Sequence, residues 1–237
     1  MIYVMSDLHG DLQKLKKMLK KIKFDPTRDK IIIDGDIMDR GGDDLNIYKF
    51  LTPYIRDGVV TVLLGNHEYF CLQYLRNEIS EHTWIAFGAE PSTVNAIKKL
   101  NEEDRSRFYE YLDNLPYYIE LEVDDKIFVI THSGLHADHL VYKKGKIDVV
   151  TSIEEAMKQM PRDFLISIDI HHLPASQKKM FDRHLLVGHV PVINLGSKNN
   201  HIVRTPYYTC IDGGVGKGIG GSLACLCLDT EEEFYVD

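Results

Sequence analysis

Three short runs of apolar, largely β-branched residues are each followed at once by a cluster of metal-ligating atoms, at almost equal spacing, and few folds satisfy that pattern. The runs are Ile2-Tyr3-Val4-Met5, Ile31-Ile32-Ile33 and Val59-Val60-Thr61-Val62-Leu63-Leu64. The clusters are Asp7-Leu8-His9, Gly35-Asp36-Ile37-Met38-Asp39-Arg40-Gly41 and Gly65-Asn66-His67-Glu68, with 29 residues from Asp7 to Asp36 and 30 from Asp36 to Asn66. Runs of this kind suit strands covered on both faces. Between the first two, Leu12, Leu15, Leu19 and Ile22 recur at helical spacing, and lysines 14, 16, 17, 20, 21 and 23 occupy the solvated face. A second helix is expected from Asp43 to Ile55, with Ile47, Leu51, Tyr54 and Ile55 as its apolar stripe. Alternation of strand and helix is the βαβαβ arrangement, whose crossovers gather the strand-to-helix loops at the carboxyl edge of one sheet. All three clusters therefore converge.

Further along, Thr83 to Leu115 has helical periodicity and ends at Pro116. The period then changes to two. Tyr118 to Val123 and Lys126 to Ile130 flank Asp124-Asp125, the signature of a hairpin with a tight turn. Leu185 to Val187, Tyr207 to Ile211, Ser222 to Leu228 and Glu233 to Val236 are further strands, expected to form a second, mixed or antiparallel sheet in the C-terminal half. The stretch 136–183 carries no clear pattern, and its place between two candidate ligands makes it a candidate substrate-covering insertion. A length of 237 residues is expected to form one domain, residues 1–237.

A formal net charge of -8 argues against a nucleic-acid partner, because a duplex-binding surface needs a basic face. Apolar runs such as Ile127 to Ile130 are far too short to span a bilayer, so no membrane partner and a cytoplasmic location are expected. Cys225 and Cys227 share one face of a strand and read as packing residues. Any anionic substrate must be held by local positive charge.

A pair of divalent ions bound by carboxylate, imidazole and amide oxygen needs a bridging carboxylate with further ligands arriving from separate strand ends. Asp36 is the natural bridge, and Asp7 and His9, two apart at a strand terminus, project to one side. Taken alone, Asn66 reads as a helix cap. The glycine-rich stretch from Gly213 to Gly221 lacks P-loop spacing, since Gly216-Lys217 is followed by Gly218, and it reads as a turn between strands.

With His132-Ser133-Gly134 and Gly188-His189-Val190-Pro191 added, the set resembles the calcineurin-like metallophosphoesterase superfamily over nearly the whole chain. Pro191, where other branches carry a further histidine, favours the phosphoprotein phosphatase branch. Trp84 with Gly88-Ala89, and Tyr208 to Gly214, resemble its small bacterial and phage members. The resemblance implies two mixed β-sheets packed face to face and flanked by helices, a four-layer α/β fold. It implies two metal ions, expected to be manganese, with iron or zinc suited by the same donors. Metal 1 would take Asp7, His9 and Asp36, and metal 2 would take Asp36, Asn66, His132 and His189. His67 is the expected general acid, oriented by Asp39, with Arg40, Arg162 and Asn66 at the substrate phosphate. Met160-Pro161-Arg162-Asp163 stands where the family has Trp-x-Arg, so Arg162 arrives without its tryptophan. The implied activity is hydrolysis of phosphoserine, phosphothreonine or phosphotyrosine in proteins, or of another small phosphoester. A symmetrical dinucleoside-tetraphosphate hydrolase is the alternative, and an inactive binding scaffold a third reading.

Overall fold

Alternation along the first strand decides the layer order. In β1 (Ile2–Met5), Tyr3 and Met5 join Leu12, Leu15, Met18, Ile47 and Leu51 on one side, while Val4 joins Ile130, Leu186 and Ile211 on the other. The computed structural model describes residues 1–237 apart from Asp43, Lys217 and Ile219, with the side chain of Asp44 also set aside. β2 (Lys30–Ile33) pairs parallel with β1, and β3 (Val60–Val62) pairs parallel with β2. The crossovers are α1 (Leu12–Lys21) and α2 (Asp44–Arg56). The expected helix start at Asp43 lies outside the described residues, as do Lys217 and Ile219 of the glycine-rich turn.

β3 is followed by α3 (Asn66–Leu75), and the stretch expected to be helical from Thr83 to Leu115 is divided among α4 (Glu81–Ala86), α5 (Pro91–Lys98) and α6 (Glu102–Asp113). Gly88, with φ 103°, and Pro91 interrupt what the periodicity alone shows as continuous. β4 (Ile119–Val123) and β5 (Lys126–Ile130) form the expected hairpin. Asp124 and Asp125 both adopt positive φ, 48° and 62°, as a two-residue turn matched to strand twist requires.

The stretch 136–183 forms a small ribbon, β6 (Tyr142–Lys143) with β7 (Lys146–Ile147), then α7 (Val149–Gln159), α8 (Pro161–Leu165), α9 (Asp169–His172) and α10 (Ala175–Lys178). Four strands follow: β8 (His184–Val187), β9 (Val203–Arg204), β10 (Tyr208–Cys210) and β11 (Leu223–Cys227), and β12 (Glu233–Val236) closes the order. The second sheet is β4-β5-β8-β10-β9, whereas the first is β12-β11-β1-β2-β3. The last two strands therefore do not extend the C-terminal sheet, as their position in the chain suggested. β11 covers the edge of β1 that β2 leaves free, in antiparallel register with Tyr3 opposite Cys227 and Met5 opposite Cys225. That register sends both cysteines into the helix-side core and Leu226 between the sheets.

The intersheet core holds Val4, Ile32, Leu63, Ile130 and Leu186. On the far face of the second sheet, Val129, Leu185 and Val187 pack against Ile153, Ala156, Phe164 and Ile170, which completes four layers. Fully burying each such aliphatic or aromatic side chain is worth about 1.5–3 kcal/mol, so the layers hold both sheets' carboxyl edges, where the ligand loops project. Among the described residues no helix is long and apolar enough to cross a membrane.

Candidate metal centre

The ligand loops leave β1, β2, β3, β5 and β8, and their backbones are locked together before any side chain is considered. Asp7 N–H donates to the Gly35 carbonyl at 3.2 Å, His9 N–H to the Asp36 carbonyl at 2.9 Å, and Gly188 N–H to the His132 carbonyl at 2.9 Å. Gly35, at φ 72°, lies so close to the next loop that a β-carbon there would sit 2.7 Å from Gly65 Cα and 2.8 Å from His132 Nδ1. Only glycine fits that approach. Asp7, His9, Asp36, Asp39, Arg40 and His189 all hold positive φ without being glycine. Each such residue costs of order 1–3 kcal/mol, and strain of this kind concentrates where function over-determines the backbone.

Two groups of donors share Asp36. His9, Asp36 and His67 form one, Asp36, His132 and His189 the other, and within each the ligating atoms lie within 4.8 Å of one another. Asp36 Oδ2 is 3.9 Å from His9 Nε2, 3.9 Å from His67 Nε2 and 3.4 Å from His132 Nε2. Asp7 Oδ1 lies 3.6 Å from His9 Nε2, on the first group's side. Asn66 Oδ1 lies 3.0 Å from both His132 Nε2 and His189 Nδ1, so the amide oxygen belongs with the second group. All six residues expected as metal ligands therefore converge, and His67 joins them.

Carbonyls only accept, so they fix the ring tautomers. His9 Nδ1–H donates to the Met38 carbonyl at 3.1 Å and His132 Nδ1–H to the Asp34 carbonyl at 2.9 Å, which turns both Nε2 atoms toward Asp36. Histidines that hold metals are oriented by such outer hydrogen bonds. Burial pushes His9 down to about 3, so its ring is neutral with a free lone pair for a cation. Burial alone would lower His132 too, but the Asp36 charge beside it raises it well above the usual imidazole range. Burial, with the Asp7 and Asp36 charges adding, pushes the Asp34 carboxyl up to about 8. Carboxyl groups thus crowd this site closely enough to disfavour one another's charge, and nitrogen and oxygen donors without thiolate suit two divalent ions of the manganese, iron or zinc kind.

His67 Nδ1–H donates to Asp39 Oδ2 at 2.6 Å, and the other Asp39 oxygen accepts from Glu90 N–H at 2.9 Å. The Arg40 guanidinium reaches His9 Nε2 at 2.5 Å and His67 Nε2 at 3.3 Å, inside the cluster. Arg162 sits farther out. Its partners are Asp163 at 3.2 Å and the Phe87 ring at 5.9 Å, and Phe87 precedes Gly88, which packs toward His67. His171 and His184, outside the donor groups, are half-buried and bonded to Tyr208 Oη and Thr209 Oγ1.

Three supporting groups were not read from the sequence. The Ser6 hydroxyl and the His189 N–H both donate to Asp7 Oδ2, the latter at 3.0 Å. Glu68 is fully buried and accepts from Asp36 N–H at 2.8 Å, Ile37 N–H at 3.0 Å and Gly65 N–H at 3.2 Å, tying the second loop to the third. Its place three residues into a helix that opens at Gly65 is the one signal that pointed to it. Glu68→Gln replaces one accepting oxygen with a donor that faces backbone N–H groups. We expect metal affinity to fall about 10–100-fold, the usual effect of losing an outer-shell partner, measured by titrating the metal-free protein with manganese.

Residues 1–212 match the calcineurin-like phosphoesterase family. The chain is 28% identical over 148 residues to serine/threonine-protein phosphatase 1 of Salmonella typhimurium, covering 62% of this chain and 65% of that protein. It is 31% identical over 135 residues to a symmetrical bis(5'-nucleosyl)-tetraphosphatase of Thioalkalivibrio sulfidiphilus, covering 56% of this chain and 45% of that one. The chain thus spans just under two thirds of the first relative and less than half of the second. Its fold is similar to the crystal structure of a candidate diadenosine tetraphosphatase, with TM-score 0.65 at 14% identity over 99% of this chain and 92% of that one. A Saccharomyces cerevisiae serine/threonine phosphatase aligns with TM-score 0.59 at 12% identity over 100% of this chain and 80% of that one.

Proposed function

The chain belongs to the calcineurin-like phosphoesterase family, and from that premise we propose that it is a dinuclear metal-dependent phosphatase acting on phosphomonoesters, with phosphoserine and phosphothreonine in proteins as its substrates. The observation that carries this reading is the sharing of Asp36 between two donor groups, with the His67–Asp39 pair at their edge. When bound, a divalent pair, manganese on this reading, supplies positive charge for an anionic ester and a nucleophile at neutral pH. The chain's own groups do the rest. Asp7, His9 and Asp36 hold one ion, and Asp36, Asn66, His132 and His189 the other. Arg40, by planar two-pronged hydrogen bonding, holds the non-bridging phosphate oxygens, with Asn66 beside it and Arg162 at the rim. His67 gives a proton through Nε2 to the departing alkoxide, and Asp39 holds the ring and stabilises its charged form.

Kinship to a symmetrical tetraphosphatase supports a second reading, hydrolysis of dinucleoside tetraphosphates with the same centre. The complete donor set argues against an inactive scaffold. A rate panel with manganese separates these readings: a phosphoserine peptide, an aryl phosphate and diadenosine tetraphosphate. We expect turnover of both monoesters, and a strong preference for the dinucleotide would overturn the leading substrate assignment.

A further inference from the structure

Beside the metal centre lies an open cleft of about 340 Å³ that shares His189 as a wall. Its other lining comes from two segments far apart in sequence: Ile168, His171 and His172 around α9, and the loop after β8 with Pro191, Asn194 and Leu195. No carboxylate, lysine or arginine lines it among the described residues. Burial, with Lys178 adding, pushes His171 down to about 4, so that ring is uncharged at neutral pH. Tyr208 Oη, 3.2 Å from His171 Nδ1, steadies the ring. Ile166, Ile168 and Ile193 remain 42%, 47% and 39% exposed in the same two segments. Ile168 is itself a wall of the cleft, and an apolar side chain left half-exposed beside an active centre suits recognition of an apolar group.

We propose that this cleft selects phosphopeptides by a large apolar side chain next to the phosphorylated residue; the proposal rests on the protein-phosphatase reading above. A phosphate held between Asp36, Asn66 and Arg40 lies against His189, and the neighbouring residue of an extended peptide starts only about 3.8 Å from the phosphorylated one, Cα to Cα. Its side chain then enters the cleft. The volume is at the small end of the range of about 300–1,000 Å³ for ligand pockets, enough for one such side chain. The exposed side of Ile168 carries the apolar lining outward, where a peptide side chain would cover it and a compact small molecule would not. Among the described residues, no lysine or arginine lines the cleft to hold an acidic neighbour, and no carboxylate to hold a basic one.

The test is kcat/KM for phosphoserine peptides that differ only in the flanking residues, leucine or phenylalanine against glycine and aspartate. N-acetyl-phosphoserine amide, without flanking side chains, is the small reference substrate. Each is measured with the wild-type protein and with Ile168→Asp, at a position already 47% exposed, with the fold of the variant checked by circular dichroism. We expect a preference of about tenfold or more for the apolar flank, the scale that apolar pockets deliver. Ile168→Asp should remove that preference while the small substrate keeps its rate. Equal rates for all flanks in the wild type, or a uniform loss on every substrate in the variant, would overturn the cleft's role while leaving the phosphatase reading intact. Hydrolysis of diadenosine tetraphosphate with no phosphopeptide turned over would overturn both.

Discussion

Asp36→Asn should strip the centre of both ions and lower kcat/KM on every phosphoester by at least about a thousandfold, or about 4 kcal/mol, in keeping with the several kcal/mol of charge stabilisation that bound metals supply. Asp36 is the one residue common to both donor groups. Its Oδ1 is already engaged by the His67 N–H at 3.1 Å, which leaves Oδ2 for the cations. Burial alone would raise its pKa, but His132 and His67 together hold it well below the usual carboxylate range, so the bridge stays ionised. Asparagine keeps the shape and one oxygen. If that oxygen stays on the His67 N–H, the amide NH₂ faces the metal positions; if it turns, two donors collide. Metal analysis after gel filtration, paired with rates on an aryl phosphate, checks both halves of the expectation. Two ions retained at full occupancy would refute the bridge.

The candidate ligands were legible because each sits within four residues of the end of a strand whose β-branched composition is unmistakable, so local pattern and site position coincide for Asp7, His9, Asp36, Asn66, His132 and His189. Sheet membership was not legible for β11 and β12. The run Leu223 to Cys227 alternates equally well on either sheet, and nothing within it records that the edge of β1 stands open. Burial of His171 and His184 escaped for a related reason. A half-buried histidine satisfied by a tyrosine or threonine from another strand has no local signature. Glu68 lay inside a motif and was still missed, because its partners are backbone N–H groups of a loop 31 and 32 residues away. The stretch 136–183 was opaque because α8, α9 and α10 run only 5, 4 and 4 residues, too short to show a helical period, yet Ile168, His171 and His172 around α9 line the cleft against His189.

His67→Asn should slow hydrolysis of a phosphoserine peptide by about 10²–10⁴-fold, the range for a positioned general acid, while an activated aryl phosphate loses far less. An alkoxide leaving group needs the proton, and a stabilised phenolate leaves without it. Burial alone would lower the pKa of His67, but Asp36 and the Asp39 hydrogen bond outweigh it and raise it above the usual imidazole value. The proton on Nε2 is thus held to higher pH than on an ordinary imidazole, and above that raised pKa the wild-type rate on the poor leaving group should fall first. His67 Nε2 is also close enough to His9 and Asp36 to belong to a donor group, so metal content decides between two roles. Two ions retained with a leaving-group-dependent loss identify proton donation. An ion lost with equal slowing of both substrates would make His67 a ligand instead, and the alkoxide would then have to take its proton from another group.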